Sequence, residues 1–134
     1  MLRHRYTADL IARRSGLTAN RGVPTHVKAA YDSAIANLGF APDGACLEVS
    51  VLMHQHLKQA GFKPTLVRRT SLIHGGHWTI ALDEQEYDPT ILYWTEYGGK
   101  GALYVVEKYS PQAKWPKDKH VDVSRAYRCA GVKE

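Results

Sequence analysis

Apolar and polar positions along the chain fall into two helical stretches followed by alternating ones. From Thr25 to Leu38, apolar residues recur at Val27, Tyr31, Ala34 and Leu38, a one-face helical spacing, with Thr25 as cap and Gly39 as stop. A second helix is expected from about Asp43 to Gly61. Its stripe is Cys46, Val49, Met53, Leu57 and Ala60, and Asp43 as cap would put Cys46 in the first turn. A shorter helix is expected over 7–15, between Thr7 and Gly16. The pattern then changes period. "KPTLVRR" reads as a strand, and "HWTIALD" alternates, with Trp78, Ile80 and Leu82 on one face and His77, Thr79 and Ala81 on the other. "EYDPTILYW" and "ALYVVEKYS" (102–110) read as further strands, and the basic tail that follows is irregular. Helices first and sequential strands after predict an α+β fold, with N-terminal helices packed on an antiparallel sheet.

The 134 residues fit one domain, 1–134. No apolar run approaches a membrane span, and the N-terminal "MLRHRYTADLIARRSG" lacks the uninterrupted apolar stretch of a secretory signal. The expectation is a chain outside the membrane. Two cysteines, Cys46 and Cys129, do not make a disulfide framework, which favours a reducing, cytoplasmic setting. The net charge of +5 favours acidic partners, but the basic residues are scattered along the chain.

Three residues carry candidate chemistry: Cys46, His77 and Asp88. Only the thiolate attacks well, and a helix start or a neighbouring imidazole promotes it. An aspartate on the far ring nitrogen fixes the imidazole's tautomer and supports its charged form. If the turn after "HWTIAL" is tight and centred on Asp83-Glu84, Asp88 lies opposite Thr79. His77 and Asp88 then become diagonal neighbours on one face. A turn of the same kind one residue earlier sets them directly opposite, and a looser turn separates them.

"GACLEVSVLMHQHLKQAGFKPTLVRR", "GGHWTIAL" and "YDPT", in that order over residues 44–90, resemble the core of the transglutaminase-like branch of the papain-like cysteine enzymes. The resemblance implies a papain-like core with Cys46 as nucleophile, His77 as general base and acid, and Asp88 as orienter. It implies acyl transfer through a thioester on an amide or isopeptide of a protein or peptide; the basic charge, separately, favours an acidic one. Hydrolysis, as a protease or deamidase, is the first expectation, with cross-linking or amine transfer as the alternative. Glu48 and Val49 depart from the small residues usual after the cysteine. The Cys46 N–H is the one oxyanion donor the position itself offers, and a second is expected from a side chain of the 25–40 helix.

Around this core, Gly75, Gly76, Trp78 and, in the "LYWTEYGGKG" segment, Trp94 are candidate substrate-lining residues. No cofactor and no metal are expected. His54 and His56, two apart on a helix, face different directions and read as surface or boundary residues. Glu84 and Glu86 read as solvated turn charges, and Cys129 as structural. Two readings from other classes stand beside the enzyme. "RGVPTHVKAAYDSAIANLGFAPDG" is similar to the last helix of a LacI-type DNA-binding head, although no helix-turn-helix precedes it in residues 1–20. A papain-like fold kept as an inactive binding module is the other.

Overall fold

The structure, a computed structural model, describes residues 22–40, 44–72, 75–90 and 103–134. The expected helix at 7–15, Asp43, Trp94 and the rest of 91–102 lie outside these. Helix α1, Thr25–Leu38, buries Val27, Ala30, Tyr31, Ala34 and Leu38, and Gly39 in the left-handed region ends it. Thr25 is its first residue rather than its cap; the cap position is Pro24, which makes no side-chain hydrogen bond. Helix α2, Cys46–Gln59, is shorter than expected at both ends and has Ala45 at its cap position. It buries Val49, Met53 and Leu57 as read, while Ala60 is exposed.

The strands β1 (Thr65–Ser71), β2 (Gly75–Leu82), β3 (Gln85–Asp88) and β4 (Tyr104–Val106) form one antiparallel sheet in chain order. The fold is therefore α+β. β3 stops at Asp88, before Pro89, which has no N–H to give a ladder. β4 keeps three residues of the longer strand expected over 102–110.

The two sheet faces differ in chemistry. Leu66, Ile80, Leu82 and Tyr87 join the helices' apolar side chains in one core. The alternate residues Arg69, His77, Thr79 and Asp88 form a face that is polar yet buried. The tail covers this face, having more structure than its irregular sequence suggests. A 3-10 turn, Pro111–Lys114, leads into a segment that runs along the free edge of β1. There Thr70 N–H donates to Pro116 O at 3.0 Å and Asp118 N–H to Arg68 O at 2.9 Å.

Helix α3, Val123–Ala130, follows; the Asp122 side chain caps it and Gly131 ends it. Its Tyr127 hydroxyl lies 2.6 Å from Nδ1 of His54. His54 is buried, which corrects its reading as a surface or boundary residue. Its pKa is lowered because burial opposes the imidazolium, with Lys58 adding to the effect. Among the described residues, no helix is long and apolar enough to cross a membrane.

Candidate active site

The hairpin between β2 and β3 sets the register on which the site depends. Asp83 and Glu84 form a two-residue turn, both with positive φ, 52° and 65°. Leu82 pairs with Gln85, Ala81 with Glu86 and Ile80 with Tyr87. Continuing that register sets Thr79 across from Asp88, and His77 one diagonal step away on the same face. Of the arrangements considered for the sequence, this is the tight turn centred on Asp83-Glu84. His77 Nε2 lies 2.6 Å from Asp88 Oδ2.

Asp88 is fully buried and its carboxylate is well supplied with donors. Thr90 N–H donates to Oδ1 at 3.2 Å, and the Gln112 amide donates to Oδ2 at 3.0 Å. Burial favours the neutral acid. The His77 charge, its hydrogen bond and the donors from Gln112 and Thr90 outweigh burial and hold the carboxyl below its usual range. For His77 too, burial is the largest influence and opposes the charged form. The Asp88 charge, its hydrogen bond and the neighbouring Cys46 overcome it, so the imidazole is raised from 6.5 to about 10. The rings of Trp115 and His77 pack in a T-shaped arrangement, centroids 5.7 Å apart and planes at 89°.

Cys46 is the first residue of α2 and is partly exposed. It is close enough to His77 to help raise the imidazole's pKa. Since Nε2 is taken by Asp88, Nδ1 is the nitrogen left to the thiol. The first backbone bond of the helix runs from Val49 N–H to Ala45 O, at 3.0 Å. The Cys46 N–H therefore has no acceptor within its helix. The structure thus brings Cys46, His77 and Asp88 together. Both cysteines are free, and Cys129 is exposed on α3 rather than packed inside.

The lining candidates fare unevenly. Gly75 and Gly76 open β2 and are exposed, Gly75 in the left-handed region and Gly76 beneath the Arg68 guanidinium. Trp78 turns to the sheet face opposite His77. There it lines a cavity of about 440 Å³ with Leu47, Arg68, Val121 and Arg125. Trp94 lies outside the described residues. Among the described residues, no three His, Cys, Asp or Glu side chains cluster as a metal site.

The sequence reading missed the layer behind the site. Glu86, read as a solvated turn charge, is mostly buried. Its Oε1 lies 2.7 Å from Arg69 Nη2, and Oε2 accepts from Arg69 Nε at 3.0 Å and from Thr79 Oγ1 at 2.6 Å. Arg69 Nη1 also donates to Trp115 O at 2.7 Å. The only trace of this in the sequence is parity, which puts Arg69, Thr79 and Glu86 on the face of His77 once the register is known. No family model, curated protein or solved structure matches the chain.

Proposed function

We propose that this chain is a thiol-dependent acyl-transfer enzyme with a transglutaminase-like, papain-like core, acting on an amide or isopeptide bond of a protein or peptide. Cys46 is the nucleophile, His77 the proton carrier and Asp88 the anion that orients it. The observation that carries the reading is one imidazole bonded through Nε2 to a buried carboxylate at 2.6 Å, on a histidine whose charged form is also favoured by the cysteine that starts α2. A structural histidine needs only one such partner; a nucleophilic site needs both.

The chemistry follows from the parts. With His77 raised to about 10, the resting pair is a thiolate at Cys46 beside an imidazolium that Asp88 supports, the proton held on Nδ1. The thiolate attacks the carbonyl carbon, and the electron pair moves to the oxygen, which the Cys46 N–H can receive. The intermediate collapses to a thioester as the imidazolium protonates the departing amine. Water then attacks the thioester, His77 takes its proton, and the acid and the thiolate are released. Water is our first choice of acceptor because it needs no pocket of its own; an amine in its place gives cross-linking. Two free thiols, one of them the working nucleophile, suit a reducing cytoplasmic setting.

The test is incubation of a complex peptide mixture with the protein and with its Cys46→Ala variant, read by mass spectrometry. New peptide termini indicate a protease, glutamine converted to glutamate a deamidase, and added amine a transferase. Each must depend on Cys46. Identical mixtures from the two proteins would overturn the proposal.

A further inference from the structure

Behind the three residues of the proposed site stands a fourth side chain that neither the sequence reading nor the mechanism uses. Gln112 lies in the 3-10 turn, 24 positions beyond Asp88, and is fully buried. Its amide donates to Oδ2 of Asp88, the same oxygen that faces His77 Nε2. With Thr90 N–H on Oδ1, three contacts among the described residues hold the carboxylate. A three-point hold fixes the plane of the carboxylate as well as its position.

The turn that delivers Gln112 is itself pinned. Arg69, on β1, spans the gap: its guanidinium pairs with Glu86 on β3 and donates to the backbone of Trp115. Thr79 completes the set by donating to Glu86. These groups are buried or nearly so. The turn is thus fastened to the sheet through Arg69, the cross-strand partner of His77, and Trp115 packs against the imidazole.

We propose that Gln112 is a positioning residue, holding Asp88 ionised and oriented toward His77, and that the Arg69–Glu86 pair fastens the turn that places it. The proposal deepens the acyl-transfer reading and rests on it for its purpose. Among the described residues, the groups that bear on Asp88 are His77, Gln112 and Thr90 N–H, with Cys46 beyond His77 and the Glu86–Arg69 pair further along the same face.

Two readouts separate the proposal from the reading beneath it. The first follows the Asp88 side-chain carboxyl by carbon NMR during an acid titration. Gln112→Leu removes the donor, so the carboxyl should take its proton at a pH at least about half a unit higher. Leu57→Ala, a core truncation in α2, should lower the melting temperature without moving that titration. Should Gln112→Leu not fold, Gln112→Glu keeps the shape. It should split the Asp88 titration into two steps as a second carboxyl joins. An Asp88 titration in Gln112→Leu, or in Gln112→Glu, identical to the parent's would overturn the proposal. The second readout is alkylation of Cys46 near neutral pH, which should slow about threefold in Gln112→Leu, as expected for one weakened support of a coupled unit. A parent Cys46 no faster than Cys129 would sink the acyl-transfer reading, while the carbon titration would still decide the role of Gln112.

Discussion

The imidazole of His77 and the carboxylate of Asp88 meet at 2.6 Å although the two residues are not cross-strand partners. His77 pairs with Arg69 on β1, and Asp88 with Tyr104 on β4. They meet on the diagonal because the two-residue turn at Asp83-Glu84 fixes the register between them. A slip of one residue would turn Asp88 to the opposite sheet face.

The contact has a signature in the pH dependence of stability. His77 is raised in the folded chain, so its contribution is complete below the unfolded value of 6.5 and is lost as pH climbs toward about 10. Asp88 is lowered, so its contribution is present above the unfolded value of 3.8 and is lost as pH falls below it. The two overlap fully between those limits. Asp88→Asn should cost about 2 kcal/mol near pH 5.5, the worth of a buried charged hydrogen bond. The gap to the parent should narrow steadily above pH 6.5. Urea unfolding at several pH values checks this; a constant gap would mean that no charge is involved.

The turn predicts a stabilising change. Asp83 and Glu84 both hold a left-handed backbone that favours Asn and Gly in two-residue hairpin loops. Asp83→Asn with Glu84→Gly should stabilise the fold by about 1 kcal/mol. Thermal unfolding of the double variant should show a higher midpoint with an unchanged far-ultraviolet spectrum.

The Arg69–Glu86 pair predicts non-additivity. Arg69→Met leaves Glu86 buried without its counter-charge and should cost about 3–5 kcal/mol. Adding Glu86→Leu removes the stranded charge and should recover part of that loss. A double variant whose cost equals the sum of the two single variants would show that the charges act independently.

Much of the site was legible because local rules governed it. Gly39 stops α1 as its backbone freedom suggests, and alternation in β2 put His77 and Thr79 on one face. Cys46 was placed near a helix start by the helical period after it and by Asp43 as cap; the helix does start there, with Ala45 at the cap position and Asp43 outside the described residues. What escaped was non-local. Gln112 reaches Asp88 from a turn on a separate element, and no periodicity joins the two. Glu86 sits beside a turn and carries a charge, two ordinary marks of exposure. Arg69 on a neighbouring strand and cover from the tail reverse that expectation. His54 escaped for the same reason, since its partner Tyr127 is 73 positions away.

The central claim is that Cys46 and His77 work as one unit with Asp88, and the pH profile of thiol alkylation tests it most directly. Iodoacetamide at about pH 6–7 should label Cys46 several-fold faster than Cys129 in the native protein, even though Cys129 is the more exposed. Asp88→Asn should move the Cys46 profile to higher pH with the fold kept, and His77→Ala should move it at least as far. The double variant should move it little further than His77→Ala alone, because the two residues act through one group. Equal, slow labelling of both cysteines, or an Asp88→Asn profile that overlays the parent's, would contradict the account.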